Sequence, residues 1–166
     1  MLIDLERGTF FAAAFALPLE FYVPDLLYRR ELEPYGGDRL LRMGLRVLEL
    51  DDAGVARAAR YRQAISALSL PDAFALALAH ITRGTLLTGD ARLRQLASDE
   101  NIVCHGLLWL LDRMFRDRTA TPRQLHDGLV TIRDHPRCRL PKAEVTKRLR
   151  AFARAFDDDH RRASRH

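Results

Sequence analysis

The sequence is short of cysteine, of long apolar runs and of the glycine-rich signatures that mark nucleotide sites. Cys104 and Cys138 are its two cysteines in 166 residues, which excludes a disulfide framework and suits a reducing compartment. The longest apolar run, Phe10 to Leu19, is interrupted by Pro18 and is about half of the roughly 20 residues a membrane-spanning helix needs. Asp4 and Glu6 precede it with only Arg7 against them, where a secretory leader carries basic residues. The run therefore reads as an amphipathic or buried helix of a cytoplasmic protein with no membrane contact. No P-loop and no G-x-G-x-x-G occurs, and His80, His105, His126 and His135 show no regular ligand spacing. Internal repeats are absent, and no linker is long enough to split the chain.

What is present fits one globular domain. Apolar residues make up 48% and charged residues 30% of the chain, enough to bury a core at this length and unlike a disordered composition. Charge is unevenly placed. Residues 1–112 hold 12 Lys/Arg and 15 Asp/Glu, a net −3, whereas residues 113–166 hold 15 and 7, a net +8. The C-terminal third is either a solvated basic helical face or a surface for phosphates or an acidic partner.

Strand and helix signals alternate. Leu2 to Leu17 reads as one helix. Phe21-Tyr22-Val23 reads as a strand, with Pro24 opening a helix to about Leu32. Residues 33–37 are a loop and 45–50 a second strand. Asp51 caps a helix whose Val55, Ala59, Arg62 stem and Ile65 share one face. Ser69-Leu-Pro-Asp72 opens a largely buried helix with Phe74, Leu76, Ala77 and Leu78. Thr85 to Leu87 is a strand, Gly89 turns into a helix near Asp90, and Ile102 to Cys104 is a strand leading through Gly106 to a helix. In that helix Trp109 and its neighbouring leucines read as core or interface. Two helices follow, one with Leu125, Leu129 and Ile132 on a stripe, one with Val145, Leu149, Phe152 and Phe156. Residues 157–166 read as a frayed tail.

This alternation predicts an α/β fold with a parallel sheet covered on both faces. Functional groups in such sheets gather beyond the carboxyl ends of the strands. Three carboxylates fall there. Asp90 reads as a helix N-cap or a ligand, Asp72 as a charge near a helix dipole or a ligand, and Glu31 as an exposed helical acid or a ligand. Clustered carboxylates repel one another and persist where a hard cation neutralises them; Mg²⁺ or Mn²⁺ so held can activate water against a phosphodiester.

The stretches LSLPDAFALALAH, GTLLTGDARLRQLA and IVCHGLLWLLDRM resemble a PIN domain of the kind found in VapC-like toxins, and LIDLERG and VPDLLYRREL upstream are similar too. The resemblance covers roughly residues 1–114. It implies a three-layer α/β/α fold with a short parallel sheet, and a PIN-like domain over 1–116. A C-terminal helical extension over 117–156 would pack on it, with a flexible tail over 157–166. It also implies a metal-dependent endoribonuclease using Mg²⁺ or Mn²⁺, with Glu31, Asp72 and Asp90 as catalytic and metal-binding acids and Thr88 in support. The expected partners are RNA, a cognate antitoxin and a second copy of the chain, with Leu26, Leu27 and Tyr28 as exposed contributors to the dimer. The alternatives are a catalytically impaired PIN-like module that binds RNA or protein, and a doubly wound regulatory domain whose carboxylates are caps.

The chain departs from the family at its start. The family's first strand, ending in Asp-x-Asn, is not matched, and Asp4 lies about six residues past the position of its acid, more than a turn along a helix. That strand is central in the family, so its two neighbours should each lack a ladder partner. The expectation is a native chain that starts upstream of Met1 or has been trimmed, which the preceding DNA would decide.

Overall fold

The structure is a computed structural model and describes residues 1–163. In place of one helix over 2–17 there are two short ones, α1 (Leu2–Arg7) and α2 (Phe11–Phe15). The break falls at Thr9, whose φ of 58° is left-handed and cannot continue a right-handed helix. Next come β1 (Tyr22–Pro24), α3 (Asp25–Leu27), a π-turn (Tyr28–Leu32) and a 3₁₀ turn (Glu33–Tyr35). Then follow α4 (Asp38–Arg42), β2 (Arg46–Leu48), α5 (Asp52–Ala64), α6 (Leu70–Thr82), β3 (Leu86–Leu87), α7 (Ala91–Asp99) and β4 (Cys104–His105). The chain ends in α8 (Leu107–Arg116), α9 (Pro122–Arg133) and α10 (Lys142–Ala163). The fold is mixed α/β with short parallel sheets, as expected of a PIN-like chain. No helix among the described residues is long and apolar enough to cross a membrane.

Two compact units result, Pro18–Gly106 and the pairing of Met1–Leu17 with Leu107–His166. Helix α8 groups with α9 and α10. The segment expected as a tail from 157 is helical through Ala163; residues 164–166 lie outside the described residues.

In the unit 18–106, β1 pairs with β2 in parallel, Val23 opposite Val47, and β3 with β4, Leu86 opposite Cys104. Among the described residues each strand has one hydrogen-bonded neighbour. The Arg46 N–H donates to the Phe21 carbonyl, which turns Phe21 and Val23 toward β2 and leaves Tyr22 and Pro24 on the open edge. Proline has no N–H to leave unpaired there. On β3, Leu86 and Thr88 donate to Val103 and His105, so Leu87 presents its backbone to the open side.

Helix α5 is capped by Asp51, whose Oδ1 accepts the Gly54 N–H at 2.8 Å, as its sequence predicts. Its buried face is not the expected one. Gly54, Ala58 and Tyr61 are buried, while Val55 and Ala59 are exposed. Tyr61 is drawn inward where its hydroxyl donates to Glu100 at 2.8 Å, a partner 39 residues on. Helix α6 carries the centre of this core: Ala73, Leu76 and Ala77 are fully buried and pack with Leu86, Leu93 and Ala97. Between α5 and α6 lies an open apolar groove of about 460 Å³ lined by Val55, Ala59, Arg62, Gln63, Leu70 and Phe74.

The second unit is helical. Leu125, Leu129 and Ile132 of α9 face Val145, Leu149 and Phe152 of α10, all buried as their spacing predicts. Thr121 and Gln124 form a reciprocal capping box at the start of α9. Arg148 ties α10 to α8 through Asp112 at 2.6 Å, and also binds Glu144 on its own helix.

Candidate active site

The unit 18–106 carries all three sequence-derived carboxylates. Asp90 follows β3 and is the N-cap of α7. Its Oδ1 accepts the backbone N–H groups of Arg92 at 2.8 Å and Leu93 at 2.9 Å, and the residue is exposed. The cap uses one carboxylate oxygen, Oδ1, so the group can cap the helix and still offer Oδ2 to a ligand.

Thr88 holds the turn. At 8% exposure it is the buried polar residue among the described positions. Its Oγ1 accepts the Asp90 N–H at 3.1 Å, its own N–H donates to the His105 carbonyl at 3.0 Å, and its carbonyl accepts from Arg94 Nη2 at 3.2 Å. The hydroxyl thus fixes the backbone that aims Asp90. Arg94 was not singled out in the sequence. Its signal is its place four residues after the cap, one helical turn along α7, where it reaches back over the turn.

Asp72 lies at the third position of α6. The Ser69 hydroxyl donates to its Oδ2 at 2.6 Å, and its own N–H donates to Ser69 Oγ at 3.1 Å. The S-x-x-D signature is therefore a reciprocal cap as well as a candidate site. Helix α6 runs into β3 through residues 83–85 and packs on it.

Glu31 sits in the π-turn after α3 and is exposed. Such turns recur at functional sites because the wide turn re-aims a side chain. Neighbouring Tyr28, expected as an exposed dimer residue, is instead buried, and its hydroxyl donates to Asp38 at 3.0 Å; Leu26 and Leu27 are half-buried.

Carboxylate oxygens are the donors a hard divalent ion takes. Among the described residues, however, no three His, Cys, Asp or Glu side chains stand as a group that could hold a metal. Glu31, Asp72 and Asp90 are not gathered into a coordination shell. Each offers oxygens that could contribute to holding an ion, but the described residues do not stand as a ready-made shell.

Two titratable groups lie beside the Thr88 turn. Burial pushes the Cys104 thiol up and keeps it protonated at neutral pH. Burial, with the Arg94 charge behind it, holds His105 below its ordinary value. The unfolded chain therefore takes up a proton on His105 before the folded one does. Stability on this account is full above the ordinary histidine range and declines as pH falls through about 6.5 toward the lower folded value. Melting curves between pH 7.5 and 5 should show a decline that His105→Gln flattens; an unchanged pH profile in that variant would remove His105 as its source.

The model of a family described as a PIN domain matches residues 1–154. The chain belongs to the PIN-domain family. The match takes in the acids and also α8, α9 and most of α10. PIN domains are typically nucleases and generally use divalent metals. Comparison with curated proteins and with solved structures gives no match.

Proposed function

We propose that this PIN domain cleaves RNA phosphodiesters in the cytoplasm, with Glu31, Asp72 and Asp90 as its essential acids and Mg²⁺ or Mn²⁺ as its cofactor. The observation that carries the reading is the family match, which spans all three acids. The locked Thr88-Gly89-Asp90 turn adds to it, because it holds one carboxylate at a strand end with an oxygen to spare. In the same reading the protein is the toxin of a toxin–antitoxin pair, acts as a homodimer, and is covered at its acidic rim by the cognate antitoxin.

A second reading is favoured by the ungathered acids: a PIN-like module that binds RNA or a protein and has lost cleavage. The two separate in one assay. Labelled RNA incubated with the purified chain in Mg²⁺ or Mn²⁺ should be cut, EDTA should stop the cutting, and Asp72→Asn should lower the rate by about tenfold or more. Retention of intact RNA in either ion, with the protein folded, would select the binding module.

A further inference from the structure

The unit formed by residues 1–17 and 107–166 carries a net +6 against −1 for residues 18–106, and the positive charge is concentrated in one segment. Residues 135–156 hold seven Lys/Arg and a single acid, Glu144. That acid is already engaged, since Arg148 donates to its Oε2 at 2.6 Å. Arg148 in turn spends its remaining donors on Asp112. Six cations are left: Arg137, Arg139, Lys142, Lys147, Arg150 and Arg154. All six are exposed, and none forms an ion pair among the described residues. Lys147 lies near enough to Glu144 to help keep it ionised without pairing with it.

Their placement is ordered. On α10, Lys147, Arg150 and Arg154 follow one another at i, i+3 and i+7, one stripe about 10 Å long. The stripe lies opposite the face that buries Val145, Leu149 and Phe152. Arg137 and Arg139 precede it in the loop before the helix. Like charges so close repel one another, and nothing in the packing of α10 requires them there.

We propose that this stripe and the loop before it bind the phosphate backbone of a nucleic acid. Two features favour a polyanion over a folded acidic protein. Four of the six cations are arginine, whose planar fork matches phosphate oxygens two at a time. Protein interfaces also take most of their energy from buried aromatic and apolar anchors, and no large exposed hydrophobic side chain occurs between residues 116 and 156. A surface that is all charge and no anchor recognises a charged strand without reading its bases.

The proposal concerns binding and stands apart from cleavage. The test is fluorescence anisotropy of a labelled single-stranded RNA with the full chain in EDTA, over a series of KCl concentrations. Binding should weaken steeply with salt. The variant R137Q/R139Q/R150Q/R154Q should bind at least about tenfold more weakly, and its slope of log K against log salt should be shallower by about 3, since each lost phosphate contact removes about 0.7. The matching Arg→Lys variant should keep the slope and guards against a folding artefact. Equal affinity and slope in the glutamine variant would overturn the proposal, as would equal binding of a poly-glutamate of the same charge. Loss of cleavage in Mg²⁺ with binding intact would bear on the acids and leave this surface standing.

Discussion

Asp90→Asn should lower RNA cleavage by about a hundredfold or more and leave the unfolding free energy within about 0.5 kcal/mol of the parent. The two halves of that expectation come from two jobs of one side chain. As an N-cap, Asp90 accepts the Arg92 and Leu93 N–H groups through Oδ1, and asparagine offers a carbonyl oxygen in the same place with nearly equal capping strength. What asparagine lacks is the charge. If that charge stabilises a cation or a developing charge at a phosphodiester, its loss is worth several kcal/mol, and each 1.36 kcal/mol is tenfold in rate. Asp90→Ala is the companion measurement. It should lose the activity and also about 1 kcal/mol of stability, because the cap goes with it. Rate assays with matched urea unfolding curves read both quantities. Full cleavage in Asp90→Asn would reduce Asp90 to a cap and remove it from the essential acids.

The local part of this fold was legible because its signals are local. Asp51, Ser69, Asp90 and Thr121 each stand just ahead of an apolar-periodic run, and each proves to cap its helix with a side-chain oxygen. The stripes of α9 and α10 follow from a period of 3.6 alone. The failures share a different cause, which is a distant partner. The helix expected over 2–17 breaks at Thr9 because the chain there is packed against α9, more than a hundred residues on. The face of α5 is set by Tyr61 reaching Glu100.

The candidate site divides in the same way. The motifs around Asp72 and Asp90 could be found because each is also a capping signature, and Thr88 because the family resemblance places a supporting residue there. Their mutual placement could not, since spacing along a chain fixes a face of a helix but no distance between elements. The sequence reading set three acids at one rim of a sheet. The structure gives Asp72 and Asp90 each a structural partner, and among the described residues the three acids are not closed around an ion.

Gly128→Ala should destabilise the protein by about 2 kcal/mol, although in most helix interiors the same change stabilises by up to about 1 kcal/mol. Gly128 is a buried residue of α9. A Cβ built there would stand 2.4 Å from Phe10 Cζ and 2.6 Å from the Gly8 carbonyl oxygen. The first contact is with a ring that is itself 2% exposed and has no room to retreat. The second is with backbone, which moves only with the turn around Thr9. The clash should therefore outweigh the gain in helix propensity. Phe10→Leu in the same chain separates the two contacts. It shortens the ring's reach but leaves the Gly8 oxygen in place, so the double variant should recover part of the loss and not all of it. Such a shortfall from additivity is the mark of residues in direct contact. Urea unfolding with an unchanged m value would place the effect in native packing. A melting temperature raised by Gly128→Ala would show that α9 does not hold the 8–10 segment this tightly, and the break between α1 and α2 would then need another cause.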